Sequence, residues 1–401
     1  MIATSSPFPV DLSLFEGTHH SPTLPNLERS LGREDLRLQD FCIPVNPYFP
    51  TPEIFASFKQ HLETILKFYP SSNESIAGCL AETLGLDPAT VVMGNGSTEL
   101  ITWIDLLLMG HRVATPVPTF GPWTDHPAGL GKEVHAWRLK PEHNFQLEVA
   151  AFAEFARNVR ADTVVVCNPN NPTGACLDQG PMIGLLDALA DVKLIVVDES
   201  FIDFAHEDSI PSVAGEAARR TNVIVLKSLG KNCGLHGIRA GYAVTQPILA
   251  QRLRKALPQW NVNAMAEALI GALTNHQVEY ELARRRAVAD RRNMERRLRS
   301  LPDLTVFPSR ANFVYVQIPA PIDGVTLRNW LLCEYGYLVR ECGNKLGSDS
   351  SHFRFAARPA EQVEALVGAL RSAFRGFGEN DEGQPHRIEH IYKSSTLTGR
   401  V

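Results

Sequence analysis

Between residues 91 and 244 the hydrophobic pattern alternates between two periods. Short runs of apolar, mostly β-branched residues are separated by longer stretches with helical spacing. The runs are Val91–Met93, Arg112–Thr115, Val134–Trp137, Thr163–Val166, Leu194–Val197, Val223–Leu226 and Ala240–Val244. Most show no polar alternation, as expected of strands covered on both faces, and the intervening helices predict a mainly parallel α/β sheet. Before them, the pattern predicts a helix from Thr51 to Phe68. After them, helical spacing runs from Pro247 to Leu301. A second, smaller α/β lobe follows, with strands at Thr305–Phe307, Phe313–Val316, Tyr337–Arg340 and Phe353–Phe355 and a closing helix near Glu361–Arg375. The chain therefore divides into an irregular arm (1–45), a large domain (46–280), a small domain (281–375) and a polar tail (376–401) expected to be mobile.

Composition narrows the class. A chain of 401 residues, 44% hydrophobic and 21% charged, has ample core for two lobes. The net charge of −5 and pI near 6.2 provide no basic field for nucleic acid or an anionic membrane. The arginine-rich stretch 284–297 reads as the solvated face of an amphipathic helix, since Ala287, Met294, Leu298 and Leu301 recur at helical spacing. No apolar run reaches membrane-spanning length, and the first residues lack a secretory pattern. Seven cysteines lie scattered without metal-ligand spacing. Cys167 and Cys176 flank a loop, and Cys333 and Cys342 fall in a strand-like region; reduced thiols of a cytoplasmic enzyme are the expectation.

Polar residues follow several of the apolar runs. Lys231 comes just after Val223–Leu226, and a lysine delivered by a buried strand is costly unless it has chemical work. Asn171 lies in Asn171-Pro172-Thr173-Gly174, a tight turn that can aim an amide. Asp198 closes an apolar strand, and Arg239 lies eight residues beyond Lys231. An amine, an amide, a carboxylate and a guanidinium are the partners that pyridoxal 5'-phosphate needs for its aldehyde, phenolic oxygen, pyridine nitrogen and phosphate. The turn containing Gly96, Ser97 and Thr98 opens a helix and can seat an anion. Ser228 and Arg239 would add a hydroxyl and a guanidinium to the same phosphate. Phe120 is placed to stack on the cofactor ring. All of these sit beyond strand ends, where open α/β sheets bind ligands.

In motif order, spacing and flanking strands the chain resembles fold-type I pyridoxal-phosphate enzymes of the aminotransferase class I/II superfamily. The likeness runs from about Asn46 to Phe374 and is nearest the group of histidinol-phosphate aminotransferase and threonine-phosphate decarboxylase. The resemblance implies a homodimer with shared active sites and makes Lys231 the Schiff-base residue. It places Tyr69, before Pro70, at the phosphate of the partner's site, and Arg354 on the substrate carboxylate. It also puts Asn46 among the substrate contacts. Phe201, where aminotransferases of the group carry tyrosine, leans toward the decarboxylase, as do Trp260–Ala264 and the stretch from Arg340 to Asn344. Arg340 and Asn344 are then candidates for a distal anion. Two departures stand out. Gly230 replaces the hydroxyl residue that precedes the lysine. Gly17-Thr18-His19-His20 does not match the decarboxylase stretch that serves its substrate's phosphate, although His19 or His20 could reach the site. The expected activity is decarboxylation of a small phosphorylated or phosphonylated L-amino acid. The alternative is amino-group transfer to a 2-oxo acid.

Overall fold

The computed structural model describes residues 12–15, 22–31 and 38–378. His19, His20 and nearly all of the expected tail lie outside the described residues. Seven strands form one sheet: β2 (Val91–Asn95), β3 (Arg112–Val117), β4 (Glu133–Arg138), β5 (Thr163–Cys167), β6 (Leu194–Asp198), β7 (Val223–Ser228) and β8 (Ala240–Val244). Their order is β2-β8-β7-β6-β5-β3-β4, parallel except for β8, which runs against both neighbours. This is the expected mainly parallel α/β sheet.

The missing polar alternation has a direct cause. Along β5, Val164 and Val166 pack on one side with Ile76, Phe152 and Leu185, whereas Val165 and Cys167 pack on the other with Ile104, Trp123 and Leu253. Every β5 residue is thus covered, and the carboxyl ends of the strands are left as the place where polar side chains converge.

A second sheet runs β12 (Arg340–Glu341), β13 (His352–Ala356), β10 (Phe313–Gln317) and β9 (Thr305–Val306), all antiparallel. Helices Gly324–Tyr335 and Ala360–Gly378 cover it, burying Leu327, Leu331, Leu366 and Leu370. The anticipated single strand Tyr337–Arg340 is two short ones. β11 (Tyr337–Leu338) pairs in parallel with β1 (Gln39–Asp40), and the chain changes partner after Val339. Part of the expected arm is therefore a strand, and Phe41 beside it is wholly buried in the small core.

The helical patterns expected over 247–301 are three helices, Pro247–Ala256, Ala264–Asn275 and Gln277–Leu298. The last runs through the expected boundary at 280, with Ala283 in the large core and Met294 and Leu298 in the small one. Its arginines are not all solvated. Arg284 and Arg291 are buried, and Arg284 donates to the carbonyl of Asp203 (3.0 Å) and to those of His206 and Glu207. Cys333 lies on helix Gly324–Tyr335 rather than in a strand. Among the described residues no helix is long and apolar enough to cross a membrane.

Candidate active site

Five parallel strands and the incoming end of β8 deliver the singled-out residues to one edge of the large sheet. Gly96 follows β2, Phe120 follows β3, Asn171 follows β5, Asp198 ends β6, Ser228 ends β7, and Arg239 immediately precedes β8.

Lys231 lies on the one-turn helix Leu229–Asn232 that β7 runs into. Its Nζ stands 4.4 Å from the centroid of the Phe201 ring and 5.6 Å from that of Phe120. Burial pulls its pKa down to about 8. Arg354 and Arg239 add to the fall, while Asp198 and Cys167 oppose it. An amine so placed is available as a free nucleophile near neutral pH. Segment 46–48 clips this helix in place: Asn46 N–H donates to Lys231 O (3.0 Å), its Nδ2 donates to Asn232 O (3.0 Å), and its Oδ1 accepts from Tyr48 N–H (3.1 Å). The side chain of Asn46, expected among substrate contacts, is thus engaged with backbone.

Asp198 is buried and fixed through both oxygens, with Trp123 Nε1 donating to Oδ2 (2.9 Å) and Ser200 N–H to Oδ1 (3.0 Å). Trp123, wholly buried, escaped the sequence reading, and only its spacing of three from Phe120 could have flagged it. Asn171 Oδ1 accepts from Arg354 Nη1 (2.7 Å). Because guanidinium can only donate, that bond fixes which way the amide faces and leaves Nδ2 as the outward donor. Arg354 Nη2 donates to Cys42 O (2.8 Å), while its buried Nε has no hydrogen-bond partner among the described residues. Phe201 meets Phe313 edge-on at 5.0 Å.

Opposite Lys231, Gly96 adopts φ 78° and caps helix Ser97–Leu107, on whose first turn Thr98 is exposed and Ser97 buried. A β-carbon at Gly96 would strike the guanidinium of Arg239, itself held at φ 58°. A left-handed arginine is uncommon and strained, and here it turns an exposed cation over a glycine-lined helix start. The cradle fits a phosphate, and the amine, amide and fixed carboxylate fit the rest of pyridoxal phosphate. At Gly230 a β-carbon would lie 3.2 Å from Leu235 O, so the close return of the chain disfavours the usual hydroxyl residue there.

Tyr69 stands apart. It is 77% exposed and stacks on Trp260 (centroids 4.4 Å apart), outside the cluster around Lys231. Arg340 and Arg354 are brought together as directly opposed residues of β12 and β13, and Arg340 Nη2 donates to Asn344 Oδ1 (2.7 Å). Two further groups were not anticipated. Lys345 approaches Phe120, with Nζ 6.0 Å from the ring centroid. Behind the site, buried Lys227 Nζ lies 3.6 Å from both Glu199 Oε2 and Asp203 Oδ1.

This fold and edge define a pyridoxal-phosphate enzyme. The family model for aminotransferase class I and II matches residues 38–370, and the chain belongs to that family. It is 31% identical over 366 residues to an L-serine phosphate decarboxylase of Sulfurospirillum multivorans, covering 89% of this chain and 93% of that protein. It is 28% identical to a threonine-phosphate decarboxylase of Salmonella typhimurium, covering 92% of this chain and all of that protein. A solved structure of a decarboxylase from Sulfurospirillum multivorans superposes with TM-score 0.75 at 32% identity, over 84% of this chain and 96% of that one.

Proposed function

We propose that this enzyme removes the α-carboxyl group, as CO₂, from a small L-amino acid whose side chain ends in a phosphate or phosphonate, with O-phospho-L-serine the first substrate to test. The observation that carries the reading is the opposed pair Arg340 and Arg354, only 8% and 9% exposed. Like charges directly across a strand pair repel, and an anion bound beside each relieves that repulsion. A substrate with two anionic ends supplies both, Arg354 taking the α-carboxylate and Arg340 with Asn344 the distal group. The similarity to serine- and threonine-phosphate decarboxylases points the same way.

Each residue then has a task. Bound pyridoxal phosphate supplies an electron sink for the pair left when the C–C bond breaks. Gly96, Ser97, Thr98, Ser228 and Arg239 would seat its phosphate, Phe120 and Phe201 would confine its ring, Asn171 Nδ2 would donate to its phenolic oxygen, and Asp198 would pair with its pyridine nitrogen. Arg354 orients the carboxylate in an apolar wall, where poor solvation favours its departure as neutral CO₂. Lys231 Nζ holds the proton that returns to Cα. Phe201 in place of tyrosine removes one donor to the phenolic oxygen and separates this site from that of the aminotransferases.

The expected division into a large and a small domain remains our reading, with helix Gln277–Leu298 as the shared strut. We also read the enzyme as a homodimer in which Tyr69 reaches the partner's phosphate seat; its exposure outside its own site supports this.

Holoenzyme should release CO₂ from O-phospho-L-serine or a phosphono-amino acid without building up the pyridoxamine form of the cofactor. Lys231→Ala should lose turnover, and borohydride should fix the cofactor's mass to the Lys231 peptide of the parent protein. Pyridoxamine formation with a 2-oxo acid product, and no CO₂, would assign the enzyme to amino-group transfer instead.

A further inference from the structure

Lys345 follows β12 by four residues and belongs to none of the roles assigned above. We infer that Lys345 is the contact by which the distal end of the site selects a doubly charged phosphate or phosphonate over a carboxylate. This rests on the anion-binding reading of Arg340 and Arg354.

Position is the first support. The amines of Lys345 and Lys231 approach the same Phe120 ring, at 6.0 and 5.6 Å from its centroid, so Lys345 borders the space beside the expected cofactor plane. The ring is anchored by its own loop, whose Thr119 carbonyl accepts from Lys345 Nζ at 3.4 Å. Among the described residues that long bond is the one hydrogen bond of the Lys345 side chain, and it occupies one of the three donors on Nζ. The side chain is partly buried, and its other two N–H groups are available as donors to an anion bound there.

Charge is the second support. Burial, with Arg340 and Arg354 near enough to repel the ammonium form, pulls the Lys345 pKa down to about 8. Cys342 and Asp125 act in the opposite direction. A strong anion bound among the three cations would relieve that repulsion. A phosphate monoester carries nearly two negative charges above its second pKa of about 6 and offers three acceptor oxygens. Arg340 and Lys345 can both donate to those oxygens, whereas a carboxylate offers a single charge and two oxygens. Between about pH 6 and 8 the phosphate is dianionic and the lysine still protonated.

The test uses holoenzyme and two probes that share an aminoethyl frame and lack an α-carboxylate: O-phosphoethanolamine and β-alanine. Calorimetry should give far tighter binding of the phosphate probe. Lys345→Met should weaken O-phosphoethanolamine by about 10- to 100-fold, the scale of a charge-assisted bond, and β-alanine by less than about threefold. Lys345→Arg should keep most of the preference. The parent's affinity for the phosphate probe should fall as pH rises through about 8, and both variants should lack that fall because neither carries the titrating amine. Should Lys345→Met not fold, Lys345→Gln takes its place with the same expectations. An unchanged ratio of the two affinities in the variant overturns the inference. A parent enzyme that binds the phosphate probe tightly yet decarboxylates no phospho- or phosphono-amino acid overturns the proposed reaction and leaves the subsite intact.

Discussion

At the residue scale, the chemistry turns on the proton held by Lys231. In water a lysine amine is almost fully protonated at pH 7.5 and cannot attack an aldehyde. Here burial, with Arg354 and Arg239 nearby, brings the pKa to about 8. Capture of pyridoxal phosphate by the apoprotein should therefore accelerate as pH rises, with a midpoint near 8, in stopped-flow absorbance. Arg354→Met should move that midpoint upward, because a repelling cation is removed; an unchanged midpoint would show that Arg354 does not act on the amine. Lys231, Asn171, Asp198 and Arg239 were legible because each is a polar side chain beyond a strand end, where the desolvation cost itself marks a function. Trp123 and Lys345 were not. Trp123 reads as an ordinary core aromatic until its indole is seen on Asp198, 75 positions away. Lys345 reads as a loop lysine until its amine is found against Thr119, 226 positions away.

At the scale of elements, the strands were legible and their supports less so. Runs covered on both faces declare themselves through unbroken hydrophobicity, and all seven large-sheet strands lie where the pattern put them. Where two elements meet through charge, periodicity is silent. Helix Gln277–Leu298 looks solvated by its arginines, yet it is joined to the strand ends by a buried polar network. Tyr280 OH donates to Asp203 Oδ2 (2.5 Å) and Arg284 to Asp203 O, while Lys227 of β7 sits between Asp203 and Glu199. Glu199 also accepts from Ser212 Oγ (2.5 Å) and Val213 N–H (2.7 Å). This network braces β7, the strand that leads into the short helix carrying Lys231. Lys227→Met should leave two buried carboxylates without their cation and lower stability by about 3–5 kcal/mol. Urea unfolding would read that loss, and a loss below about 1 kcal/mol would show the network to be incidental.

On the scale of the whole molecule, the unexplained surface is apolar. Leu66, Phe68 and Tyr69 are 74%, 68% and 77% exposed at the end of helix Pro52–Lys67, and Val278 and Leu282 are exposed at the start of helix Gln277–Leu298. Such residues on a chain with a −5 net charge call for a partner surface. If a second copy covers them, each site is built from both protomers, and that can be tested by complementation. Tyr69→Ala should lower cofactor affinity about tenfold or more, the scale of a lost charge-assisted hydrogen bond, and Lys231→Ala should be inactive. In a mixed dimer, the protomer that keeps Lys231 would receive tyrosine from the Lys231→Ala protomer, restoring one complete site. The other site would lack both groups. Equal amounts of the two variants, exchanged to equilibrium, should then recover about a quarter of parental activity per protomer, since half of the dimers are mixed and each has one working site. At limiting cofactor neither variant alone should approach that level. Absence of recovery, with exchange verified by mass, would confine Tyr69 to its own protomer and leave the exposed Tyr69–Trp260 stack without a part in the chemistry.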